Sequence, residues 1–267
     1  MTHIEFNEKY HTYTNTKNNK KYLSVTKFIN QFVKPFDSDY FSMFKAVEEI
    51  LGIEKFKQFR KLIGYQNEPV SKFLTTENCQ QVKEKQQEIL DKWALKSKLS
   101  IEKGNKFHKQ KENDILEGKP FIFEGKRYFE KSENYKFCYV EPEKIVYLDE
   151  FELSGMVDLT LTRYDEIIPF DYKTSEELKK ENKYQKMLYP LDKLDDCKFN
   201  HYQVQLSLYA YMLEQNTCLD VTDLYVIHLD KDNQEVLHKC KYLKNEVLMM
   251  LEIRKRQLQA ETDLFPL

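Results

Sequence analysis

Long apolar runs are missing from this 267-residue chain, and so is an excess of either charge. No run approaches the roughly 20 apolar residues that cross a bilayer, so no membrane association is expected. The opening Met1-Thr2-His3-Ile4-Glu5-Phe6 lacks a basic stretch followed by an apolar one, and no signal peptide is expected. Glycine and proline are scarce, at 6 and 7 copies, which excludes collagen-like and linker-rich chains. The five cysteines (Cys79, Cys138, Cys197, Cys218 and Cys240) are scattered and include no CxxC pair. That spacing predicts reduced thiols, with no disulfide framework and no zinc site. Arginine supplies only 5 of the 42 basic residues, against 37 lysines. The lysine bias and modest size fit a protein of bacterial or phage-infected cytoplasm. The net charge of −2 gives, over the whole chain, no electrostatic footprint for nucleic acid. No GxxxxGK[ST] pattern is present, so no fused ATP-driven motor is expected.

Aromatic residues, in contrast, are plentiful. With 18 Tyr, 18 Phe and 41% apolar residues, the chain can build a substantial core although 32% of it is charged. Alternation over His3–Phe6, Tyr10–Thr14 and Lys21–Leu23 predicts a small β-meander. Ser24 is a suitable cap for a helix from Val25 to about Phe32. Asp37 or Ser38 can cap another through about Glu49, with more helical periodicity over 53–63, 77–100 and 101–117. From Phe121 the pattern turns to strands: Tyr135–Tyr147, Glu150–Thr162 and Ile167–Tyr172. A polar, lysine-rich segment follows to about Lys198. Then come a helix (Tyr202–Glu214), a hairpin (Leu224–Leu229 with Glu235–Tyr242) and a last helix (Asn245–Gln259). The order implies one α/β domain with a helical N-terminal part packed on it.

Two acidic positions fall on consecutive apolar strands. Gly155-Met156-Val157-Asp158 lies in one strand, and Asp171-Tyr172-Lys173-Thr174 ends the next. The polar stretch Thr162–Glu166 between them reads as a hairpin turn, which can bring Asp158 and Asp171 together. Asp171 and Lys173 are i and i+2, so both leave one face of the strand. Two carboxylates and an ammonium suit a hard divalent cation and a phosphodiester. Upstream, Gly104 and His108 share a helix face, where a glycine lets the face approach another backbone and His108 points inward as a further ligand. Downstream, Gln205 and Tyr209 also share a face, their polar tips directed to a phosphate or to Lys173.

His on a helix, Gly-x-x-Asp, Asp-x-Lys and Gln-x-x-x-Tyr, in that order over residues 104–209, resemble the RecB-type branch of the PD-(D/E)xK nuclease superfamily. That branch includes bacterial recombination nucleases, phage exonucleases and CRISPR-associated RecB-like nucleases. The resemblance implies a restriction-endonuclease-like α/β core, a mixed sheet flanked by helices, over 101–267. Residues 1–100 would add the meander and a helical region that guides DNA. The resemblance also implies that His108, Asp158, Asp171 and the Tyr172 carbonyl bind Mg²⁺ or Mn²⁺. Lys173 would be the catalytic lysine, with Gln205 and Tyr209 in support. Glu143 matches an accessory acid, with Glu141 as a close alternative. The downstream cysteine cluster that holds iron–sulfur in some members is missing, so no such cluster is expected.

The expected activity is metal-dependent hydrolysis of DNA, from single- or double-stranded ends as in most members with this four-part pattern. An endonuclease or nickase is the alternative within the fold. A non-catalytic nucleic-acid-binding subunit is the alternative outside it. Tyr40, Phe41, Phe44, Phe56 and Phe59 are candidates for base stacking or for core. Residues 1–119 hold 22 basic and 16 acidic residues, and residues 120–267 hold 20 and 28. A lysine-lined N-terminal surface leading DNA to an acidic pocket is therefore expected.

Overall fold

A computed structural model describes residues 3–66 and 76–264. They fall into two compact units, residues 35–103 and residues 1–34 with 104–267.

In the smaller unit, Asp37 Oδ1 accepts from the Tyr40 amide at 2.9 Å and opens a long helical run, Ser38–Gln66. Two helices are expected here. Two are found, meeting at a kink at Gly52, whose backbone (φ 79°, ψ 166°) lies where side chains are strained. Phe44, Ala46 and Val47 pack on Val82 and Ile89 of the next helix, Thr76–Leu116. That helix is continuous where two are expected over 77–100 and 101–117. Gly104 costs a helix only about 1 kcal/mol and does not break it. Phe44 is core, and Phe56 packs partly against it. Tyr40 and Phe41 stay exposed, and the Phe59 side chain lies outside the described residues.

The larger unit begins with the predicted meander: β1 (Ile4–Asn7), β2 (Thr12–Asn15) and β3 (Lys20–Ser24), all antiparallel. Ser24 then caps α1 (Val25–Ile29), its Oγ accepting from the Lys27 amide at 3.3 Å. A 3-10 turn, Asn30–Phe32, replaces the expected last helical turn. The end of the long helix, from Gly104, belongs to this unit. A small hairpin follows, β4 (Phe121–Phe123) and β5 (Lys126–Tyr128).

The main strands are β6 (Cys138–Leu148), β7 (Leu153–Arg163) and β8 (Glu166–Lys173). After a long loop come α4 (Lys198–Asn216), β9 (Asp220–Val221), β10 (Leu224–Leu229), β11 (Glu235–Cys240) and α5 (Lys244–Leu264). Nine strands make one mixed sheet, in which β3–β7 and β8–β10 are parallel and β6–β7–β8 antiparallel. Helices α1, α4 and α5 share one apolar cluster with one face of this sheet. The hairpin and the end of the long helix share a second cluster with Leu159, Ile168 and Phe170. Leu206, Leu208, Met212 and Leu213 of α4 are fully buried, so trimming any one to alanine costs about 2–5 kcal/mol.

The sheet is a restriction-endonuclease-like α/β core, and it forks at β7. β6 occupies one whole edge of β7. The other edge is shared: β3 pairs with Leu153 and Ser154, and β8 pairs from Leu159 onward. Between them, Gly155–Asp158 has no strand partner on that side among the described residues.

Candidate active site

The gap in the β7 edge is where the sequence places Asp158. The β7–β8 ladder ends at Leu159–Phe170. One residue further, Asp158 Oδ2 accepts from the Tyr172 amide at 2.6 Å, so a carboxylate stands in for a strand partner. Along β8, Ile168, Phe170 and Tyr172 enter the second apolar cluster. Asp171 and Lys173 therefore leave the opposite face, toward α4. Lys173 Nζ lies 2.6 Å from Asp171 Oδ2. The contact is a close, buried ion pair, and among the described residues that oxygen has no further hydrogen-bond donor.

Strand alternation slips next to Asp158. Val157 packs in the first cluster and Leu159 in the second, although two residues on they should share a face. On β6, Val140 and Val146 divide in the same way. The rung between them, Glu143 opposite Asp158, is unmade, and Glu143 has φ of 50°. This left-handed residue turns its carboxylate onto the side where Asp158 lies. Ligand atoms of His108, Glu143 and Asp158 come within 4.8 Å of one another. His108 Nδ1 is 3.3 Å from Asp158 Oδ1. The Glu141 carboxylate instead pairs with Lys144 at 2.5 Å. Asp171 lies outside this threesome, on Lys173. Tyr172 packs its ring in the second cluster, 5.7 Å from Phe107.

Gly104 is less constrained than its spacing suggests. A Cβ there would meet Thr174 Oγ1 at 3.6 Å, an ordinary contact, so space does not require glycine. Gly155 does require it. A Cβ would stand 2.5 Å from Tyr209 Cε1 and 3.1 Å from Val25. Tyr209 therefore lies flat on β7, and its hydroxyl accepts from Gln205 Nε2 at 3.0 Å. About one turn before Gln205 on the same helix, Tyr202 places its ring 4.8 Å from Lys173 Nζ, a cation–π contact. Tyr202 is missed by the motif reading, although its place three residues before Gln205 marks the shared face. Tyr13 of the meander is missed as well: it is buried, and burial with the charges of Glu143 and Asp158 raises its pKa.

The electrostatics follow from crowding. Burial, then the Asp158 charge, pushes the Glu143 carboxyl up to about 7. Burial also lifts Asp171 to about 6, against the pull of Lys173. Asp158 is driven upward by burial, but the His108 hydrogen bond and charge outweigh it and hold the acid below its ordinary value. Burial disfavours the charge of Lys173, yet Asp171 and Asp158 raise its pKa above the ordinary one. Surplus carboxylate in a confined place and an imidazole beside it fit a divalent cation of the Mg²⁺ or Mn²⁺ type.

A family model described as the PD-(D/E)XK nuclease superfamily matches residues 55–262. No curated protein matches the sequence. Among solved structures, a candidate exonuclease from Eubacterium rectale is 12% identical, with a TM-score of 0.34, over 91% of this chain and 81% of its own. SSO0001 is 16% identical, with a TM-score of 0.26. The match covers 45% of this chain, which thus spans half the length of SSO0001.

Proposed function

From the premise that this chain belongs to the PD-(D/E)XK nuclease superfamily, we propose that it is a divalent-metal-dependent deoxyribonuclease of the RecB-type branch, acting on DNA ends. The observation that carries the reading is the meeting of Asp158, Asp171 and Lys173 at the fork of β7 and β8, with His108 and Glu143 beside them.

His108, Glu143 and Asp158 are the residues to hold the cation, with Asp171, paired to Lys173, beside them. Such an ion polarises a phosphate and lowers the pKa of water. Asp158 does a second task by fixing the Tyr172 amide, and so the strand that carries Asp171 and Lys173. Lys173 stays protonated between two carboxylates, where it orients a water and offsets charge growing on the phosphate. The Tyr202 ring holds the ammonium from the α4 side. Gln205 and Tyr209 brace that helix against β7.

The preference for ends rests on the four-part motif. Digestion of end-labelled linear DNA beside closed circular DNA tests it. Release of the end label with circles left intact is expected. Equal loss of circles would make the enzyme an endonuclease or nickase. For residues 35–103, a role in guiding DNA rests on exposed Tyr40 and Phe41.

A further inference from the structure

The loop between Lys173 and α4 is long, polar and closely tied down. Asn182 donates from its amide to Asp195 Oδ2 at 3.0 Å and from Nδ2 to the Asp196 carbonyl at 2.8 Å. Lys186 pairs with Asp195 at 2.5 Å, and Gln185 donates to the Asp196 carboxylate. Met187 and Leu191 are buried beneath. Between the two arms lies an open cavity of about 570 Å³.

Three lysines line it: Lys179, Lys183 and Lys198. Among the described residues, Lys183 and Lys198 have no ion-pair partner, and Lys179 has only Glu177 at 3.9 Å. Of the two lining acids, Asp196 is engaged by His201 Nε2 at 2.7 Å and by Gln185. Glu181 is the other. Tyr184 also lines the cavity and is 99% exposed, an aromatic ring with nothing packed upon it. A groove with unpaired cations and a bare ring has the chemistry of single-stranded nucleic acid, whose phosphates need cations and whose unpaired bases need a stacking face. Its place fits as well. Lys198 precedes Tyr202, the ring under Lys173, by four residues, about 6 Å of helix rise.

We propose that this cavity binds the single strand flanking the scissile phosphate, with Lys179, Lys183 and Lys198 on the backbone and Tyr184 stacked on a base. The flanking role rests on the nuclease reading, whereas the binding does not.

The test is fluorescence anisotropy of the full chain with a labelled single-stranded oligonucleotide and a blunt duplex, in EDTA and across a salt series. For Lys179→Ala/Lys183→Ala/Lys198→Ala, weaker binding is expected, with a log–log salt slope shallower by about 2, as for three single-strand phosphates. For Tyr184→Ala, a fully exposed site where folding is not at stake, single-strand affinity should fall about five- to 100-fold. Duplex affinity should hold. Unchanged single-strand affinity in both variants overturns the proposal. A protein that binds in this way but cleaves nothing with Mg²⁺ or Mn²⁺ keeps the cavity and loses the nuclease reading. One that cleaves, with both variants binding normally, keeps the nuclease and loses the cavity.

Discussion

Asp158 has two loyalties: one oxygen holds the Tyr172 amide and the other faces His108. Asp158→Asn keeps an acceptor for the amide but removes the charge, so the fold should survive while cleavage is lost. Circular dichroism beside a nuclease assay checks this. Glu143 and Glu141 are indistinguishable by sequence, two residues apart in one strand. The left-handed backbone at Glu143 separates them, and no local sequence signal announces it. Glu143→Gln should weaken Mn²⁺ binding, read by calorimetry, at least about tenfold, and Glu141→Gln should leave it unchanged. Equal effects would undo the assignment. Gly155→Ala forces a methyl onto Tyr209 and should cost about 1–3 kcal/mol in urea unfolding. Asp171, Lys173, Gln205 and Tyr209 are legible because strand and helix periods fix their faces, whereas Asp158 sits where strand alternation slips. Tyr202 and Tyr13 are not, because nothing near either residue names Lys173 or Glu143 as its neighbour.

Among the elements, the long strands and their hairpin turns are legible and the distant pairings are not. Alternation locates β6, β7 and β8, and the polar Tyr164-Asp165 turn pairs the last two. The fork depends on β3 meeting β7 some 130 residues later, a pairing that local pattern cannot supply. The helical periodicity is right along both long runs; of its two expected breaks, the one between 49 and 53 is present at Gly52 and the one at 100–101 is not. Gly104 leaves its helix continuous, whereas Gly52 interrupts the other run with a backbone that disfavours any side chain. Open space surrounds Gly52, so strain alone should decide the outcome there. Gly52→Ala should destabilise the protein by about 1–3 kcal/mol in urea unfolding, and an unshifted midpoint would contradict the strain argument.

Over the whole molecule, the charge sum conceals an uneven distribution. Residues 35–103 hold 12 basic and 11 acidic residues, close to balance. The positive excess of the first 119 residues therefore lies in 1–34 and 104–119, within the unit that carries the acids. Net charge thus gives no support to residues 35–103 as the electrostatic guide. Among the described residues, no helix is long and apolar enough to cross a membrane. The acid cluster couples stability to metal: Mn²⁺ at 100 times its dissociation constant should add about 2.7 kcal/mol, read as a raised Tm. The most direct measurement is cleavage of labelled linear DNA by the wild type and by Lys173→Ala, with Mg²⁺, with Mn²⁺ and in EDTA. The expected result is cleavage by the wild type with metal only, slowed about 10²- to 10⁴-fold in the variant. A wild type inert with both metals, or a variant as fast as the wild type, would contradict the account.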